Sequence, residues 1–267
     1  MTGCIYAAIN KQIKKLESYI KRFGNEVIEN DIHDFRVAVK RLRAYRYFLR
    51  IANQANLKIG TDLEMAYLAA GRLRDTTNKS IYLKKIDVAK PVMEADMENL
   101  GKTKNVYLQE FKSVLNTNSE ILQPISSILC QVSAQNKEFL ISELNLIFSV
   151  LVANLNEELN KPDPDIDLHE VRKLYKKMSY LFELVNEFNP TDSSRNDQKI
   201  TISVEKTLGT WHDMQVLKLE EGYLKSINTK SIEKLGIEFG IDNRDNLIQL
   251  AKGKLMKFQL VSTLNVD

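Results

Sequence analysis

Apolar residues recur at three- and four-residue spacing along almost the whole chain. Ile5, Ile9, Ile13, Leu16 and Ile20 share one face of a helix that ends near Gly24. Asn30 and Asp31 are N-cap candidates for a second helix reaching about Asn53. A third helix is expected over about Thr61–Asp75, with Thr61 as its cap. A fourth, long and charged, runs from about Ser80 towards Leu115, kinked or split at Pro91. The next helical pattern starts near Pro124 and continues to about Leu159. The stretch from Lys161 to Asp167 is loop-like, and Asp167 is the N-cap candidate for a helix over about Leu168–Phe188. Pro190–Asp197 has the composition of a polar loop. Helices follow at about Lys199–Leu224, Ser231–Phe239 and Asp245–Leu260. No strand pair or hairpin signal interrupts this order, so the pattern predicts an all-α protein.

Composition narrows the class. Only 10 Gly and 5 Pro in 267 residues leave few turn signals for a β-rich fold. With 43% hydrophobic and 27% charged residues, the chain is too apolar to be disordered and too charged for a membrane protein. No apolar run approaches the roughly 18–20 residues that span a bilayer. The longest, near Leu144–Leu155, is broken by Asn145, Ser149 and Asn154. The first residues lack a basic stretch followed by an apolar core, so no secretory signal is read and a cytoplasmic location is expected. Cys4 and Cys130 cannot build a disulfide scaffold or a four-cysteine zinc site, and three histidines leave little for a His-rich metal centre. No metal or cofactor is expected.

An internal repeat carries the chemistry. The segment from His33 to Arg41 and the segment from His169 to Lys177 both read H-[DE]-x-R-x-x-x-K-[KR], 136 residues apart. Each is followed by G-x-x-x-D, at Gly71–Asp75 and Gly209–Asp213, with nearly the same spacing. Two motifs in one order at one spacing point to a duplicated helical unit. The expected halves are 1–135 and 136–267.

On a helical wheel at about 100° per residue, His33, Arg36, Lys40, Arg43 and Arg50 form one stripe. Phe35, Ala38, Leu42 and Leu49 lie opposite. His169, Arg172 and Lys176 repeat the stripe, with Val171, Leu174, Met178, Phe182 and Val185 facing away. From Arg36 to Arg50 there are six basic residues and no acidic one. Like charges three and four apart cost a helix a few tenths of a kcal/mol per pair, and a solvated face usually mixes signs. The unmixed stripe recurs, which suggests an anionic partner. The net charge of +3 hides this distribution. Arg41, Arg46 and Lys177 lie off the central stripe. Gly71 and Gly209 suit close helix packing, and Asp75 and Asp213 suit orienting or capping neighbours. Tyr45, Tyr47, Tyr180 and Trp211 suit core or rim positions better than a base-stacking platform.

The run His33–Arg43 with Ala70–Asp75, and its degenerate second copy, resemble the CHAD family (conserved histidine α-helical domain) over essentially the whole chain. The resemblance implies two antiparallel four-helix bundles related by a pseudo-two-fold axis, together forming one CHAD-like domain with both stripes on a central groove. It also implies binding of inorganic polyphosphate, often at polyphosphate granules. The family's positions map onto His33, Arg36, Lys40, Arg41, Arg43 and Arg74, and onto His169, Arg172, Lys176 and Lys177. Arg50, Lys173 and His212 complete the candidate polyphosphate-binding set. The second copy departs from the pattern at two places: Ser179 matches Arg43, and His212 matches Arg74.

The expected activity is binding without catalysis, with no catalytic residue. Arg forks suit paired phosphate oxygens, and Lys acts as a mobile point charge. Nucleic acid is a rival ligand for the same stripe, but no base reader or aromatic platform supports it. A metal-dependent phosphohydrolase needs carboxylate ligands, and Asp34 and Glu170 fall off the basic faces. A scaffold recruiting granule-associated proteins would use the same surface.

Overall fold

The computed structural model describes residues 4–51, 59–85, 90–116, 121–122, 137–163, 165–218, 230, 233, 237 and 243–258. Among them are helices α1 (Cys4–Asn25), α2 (Glu29–Ile51), α3 (Thr61–Leu83), α4 (Lys90–Asn116), α5 (Lys137–Leu159), α6 (Leu168–Phe188), α7 (Asp192–Lys218) and α8 (Arg244–Leu255), with no strand. The fold is all-α. No helix among the described residues is long and apolar enough to cross a membrane. Cα packing divides the chain into two compact units. The N unit comprises residues 6–133 and 216–235; the C unit comprises 1–5, 134–215 and 236–267.

In the N unit the apolar stripe of α1 is buried at Ile9, Ile13 and Leu16 and continues to Phe23, while Ile20 is half-exposed. Phe23, Phe35 of α2 and Phe111 of α4 form a buried edge-to-face cluster, with ring centroids 5.1–5.8 Å apart. Such pairs add about 0.5–1.5 kcal/mol beyond the area they bury. Helix α3 packs on α2 and α4. In the C unit, Phe148 of α5 stacks on Phe182 of α6 at 4.2 Å. The buried Tyr175 hydroxyl of α6 donates to the Ala251 carbonyl of α8 at 2.7 Å. That burial pushes the phenol well above its ordinary value, so it serves as a fixed donor.

Several expected boundaries move. Helix α3 does not stop at Asp75 but continues to Leu83. Thr76 and Ser80 bond back to the carbonyls of Arg72 (2.9 Å) and Thr76 (3.1 Å), and the buried Thr77 bonds Glu29 (3.3 Å). Tertiary contact here overrides a low-propensity run. The expected Ser80–Leu115 helix is in two pieces, one ending at Leu83 and the other starting at Lys90; Pro91 is the second residue of α4, where a missing N–H costs nothing. Thr61 is helical and Gly60 is the cap residue. Asn30 and Asp31 lie inside the first turn of α2 rather than before it.

The expected polar loop Pro190–Asp197 is largely the start of α7. Thr191 and Ser194 each accept the other's backbone N–H at 3.0 Å, a reciprocal cap. Asp167 does cap α6, accepting from the N–H groups of His169 and Glu170. Asn243 caps α8, which ends at Leu255 rather than near Leu260. The expected helical stretch Pro124–Asn136, the end of the Lys199–Leu224 helix and most of Ser231–Phe239 lie outside the described residues.

Candidate functional site

The apolar sides of both motif helices are buried as their periodicity requires. Phe35, Ala38, Leu42 and Leu49 are fully inside on α2, as are Val171, Met178 and Phe182 on α6. This orientation turns Arg36 and Arg43 towards α3 in the N unit, and His169, Arg172 and Lys176 towards α7 in the C unit.

In the N unit, Thr77 bonds Glu29, Gly71 underlies Arg36 and Glu64 pairs with Arg43. Numbers rise along α2 as they fall along α3, so the pair is antiparallel. Arg36 donates Nη1 to the Tyr67 carbonyl at 2.7 Å. Its guanidinium also lies 4.4 Å from the Tyr67 ring centroid. A Cβ on Gly71 would collide with Nη1 and stand 3.2 Å from Cζ, so only glycine leaves the guanidinium this berth. Burial pushes Arg36 below its ordinary value; Arg74 and Arg43 act the same way, and Tyr67 and Asp75 oppose them. A guanidinium stays charged regardless, so the site holds a partly desolvated cation. Arg74 is half-buried and Asp75 exposed.

Arg43 is bidentate to Glu64 and lies 3.8 Å from the Tyr67 ring centroid. Lys40 is half-buried, as is Arg41. His33 is exposed, and so is Arg50, which lies 5.9 Å from its neighbour Tyr47's ring centroid. Glu29 accepts from Lys104 of α4, a contact that, with Thr77 and Arg74, holds its carboxyl below the usual range.

The C unit repeats the geometry. His169 meets His212, Arg172 lies over Gly209, Lys176 pairs with Glu205, and Asn186 bonds Gln198, so α6 and α7 are antiparallel. Here the approach is looser: a Cβ on Gly209 would lie 3.6 Å from Arg172 Nε, an ordinary contact. The His169 and His212 rings are 5.0 Å apart and tilted by 31°. Among the described residues, the buried nitrogens Arg172 Nε and His212 Nδ1 have no hydrogen-bond partner; Asp213 Oδ1 is 3.7 Å from the latter. His169 is held below its ordinary value, first by burial and then by His212, Lys173 and Arg172, with Asp167 opposing. Lys173 is exposed and paired with Glu170 on its own helix, and Lys177 is half-buried.

The two registers align. His33 stands level with Arg74 as His169 does with His212, and Arg36 with Gly71 as Arg172 does with Gly209. The stripes are free of acidic residues on their own helices, but α3 and α7 bring Glu64 and Glu205 against Arg43 and Lys176. Tyr67, Glu64 and Glu205 were not legible as site residues. The signal was the antiparallel register itself: with Gly71 set against Arg36, Glu64 falls opposite Arg43. Ser179, matching Arg43, is buried. Among the described residues no group of three or more His, Cys, Asp or Glu side chains is placed to hold a metal ion.

These features define an all-helical protein carrying a His–Arg–Lys helix pair in each compact unit. The structure is similar to the crystal structure of the CHAD domain from the plant Ricinus communis, with a TM-score of 0.64 and 14% sequence identity, covering 98% of this chain and 89% of that one. The chain has the CHAD fold. No protein-family model and no curated protein sequence matches it.

Proposed function

We propose that the chain binds inorganic polyphosphate on its cationic helix pairs, without catalysing a reaction on it, and that its halves 1–135 and 136–267 arose from one duplicated unit. The observation that carries this reading is the matched placement of Arg36 over Gly71 and Arg172 over Gly209, each with a histidine one turn earlier on the same helix. Arg36, seated on Gly71 and bonded to the Tyr67 carbonyl, is pre-organised, so less side-chain freedom is lost when it grips phosphate oxygens. Arg172 Nε is a buried N–H donor with no acceptor among the described residues, and a phosphate oxygen there would satisfy it. The motif resemblance supplies the ligand class, and residence at polyphosphate granules with their proteins belongs to the same reading.

Titration with long-chain polyphosphate, against single-stranded RNA at equal phosphate concentration, tests the ligand. Polyphosphate should bind and RNA should fail to displace it. Displacement by RNA at that ratio, or no binding of polyphosphate, would reject the reading.

A further inference from the structure

We infer that Glu64 and Glu205 are specificity-determining residues, internal carboxylates that a polyanion must displace from the two basic stripes. This inference rests on the polyphosphate reading and adds a selection device to it. Glu64 reaches from α3 to make a bidentate pair with Arg43, whose guanidinium is also seated by the Tyr67 ring. Glu205 reaches from α7 to pair with Lys176. Each pair is partly buried, with side-chain exposures of 35% and 32% for the first and 21% and 25% for the second. Solvent screening is therefore incomplete, and the carboxylates subtract from the field an incoming anion meets.

The two pairs do not occupy matching positions. In the N unit the carboxylate sits level with the fourth cation of the motif; in the C unit it sits one turn earlier, level with Lys176. Tyr67 occupies on α3 the position that Glu205 occupies on α7. Both units thus contain a carboxylate on the facing helix, placed at different turns. Fork-shaped pairing of Arg43 with a carboxylate also holds the guanidinium in the geometry that receives two phosphate oxygens. A ligand with closely spaced charges can supply several phosphates to the stripe at once and take over the paired cations. A sparsely charged one repels the carboxylates without replacing them. The device therefore favours polyphosphate over nucleic acid, whose phosphates are further apart.

The test is Glu64→Gln, Glu205→Gln and the double variant in the full chain. Each is titrated with long-chain polyphosphate and with single-stranded RNA, with helical content checked by circular dichroism. Glutamine keeps the shape and one acceptor oxygen, and the second variant lies in the other unit, so a folding defect in one leaves the other readable. Each substitution should tighten polyphosphate binding by about three-fold at low salt, the scale of a partly exposed ion pair. RNA binding should rise by a larger factor, narrowing the discrimination. Folded variants with polyphosphate affinity unchanged or weaker, or with discrimination undiminished, would overturn the inference while leaving wild-type binding intact. Wild-type protein that binds no polyphosphate would overturn the underlying reading and this one with it.

Discussion

Arg36 of α2 occupies the space that a side chain on Gly71 of α3 would fill, and donates to the Tyr67 carbonyl one turn away. Gly71→Ala should gain about 1 kcal/mol of helix propensity but evict the guanidinium from a charge-assisted bond worth roughly 1.5–3 kcal/mol. The variant should be destabilised by about 1 kcal/mol in urea titrations and should bind polyphosphate several-fold more weakly. Gly209→Ala meets Arg172 only at ordinary contact distance. It should be stabilised by about 0.5–1 kcal/mol with affinity unchanged.

Binding should be linked to proton uptake. Burial, His212, Lys173 and Arg172 keep His169 neutral to lower pH in the folded protein than in the unfolded chain. Its contribution to stability is therefore full above the ordinary histidine value of about 6.5 and is lost as pH falls below it. A bound polyanion reverses the local field and favours the imidazolium. Affinity should rise as pH drops from about 7.5 to about 5.5. Calorimetry in buffers of different ionisation enthalpy should show protons taken up near pH 6, and His169→Gln should reduce the uptake. A buffer-independent heat would contradict the linkage.

The start of α6 rests on two carboxylates. Asp167 caps it, and the buried Glu158 accepts the Asp167 N–H at 2.7 Å and pairs with Lys161. Asp167→Ala should cost about 1 kcal/mol, measured by thermal or urea unfolding. Despite burial, these bonds hold the Glu158 carboxyl below its ordinary value. Its contribution is present above that value and disappears as pH falls through the acid range below about 4.3. Glu158→Gln should flatten that part of the stability profile.

The Phe23–Phe35–Phe111 cluster joins three helices of the N unit. Phe111→Ala should cost about 3–5 kcal/mol. In the C unit, Tyr175→Phe leaves the Ala251 carbonyl without the phenol's donated bond and should cost roughly 1–3 kcal/mol. Urea titration of each variant checks both values.

Helical periodicity made the inner and outer sides of α2 and α6 legible, because burial of Phe35, Leu42, Met178 and Phe182 leaves one orientation for the charged stripe. The match of His212 to Arg74 was legible too, from spacing alone. The length of α3 was not, since Thr76, Thr77 and Ser80 have weak helix propensity and are held by bonds to α3's own carbonyls and to Glu29. The start of α7 was hidden because Thr191 and Ser194 resemble loop residues until their reciprocal bonds are seen. Glu64 and Glu205 were invisible for a different reason. A helical wheel reports the charges on one helix, whereas the field at Arg43 and Lys176 depends on which turn of the neighbour stands opposite.

The central claim is tested most directly by titrating long-chain polyphosphate into wild-type protein and the Arg36→Ala/Arg172→Ala double variant at moderate salt. Truncating a pre-organised, charge-assisted donor in each unit should weaken binding at least about ten-fold with the helical circular dichroism spectrum retained. A folded double variant that binds polyphosphate as tightly as wild type would contradict the account.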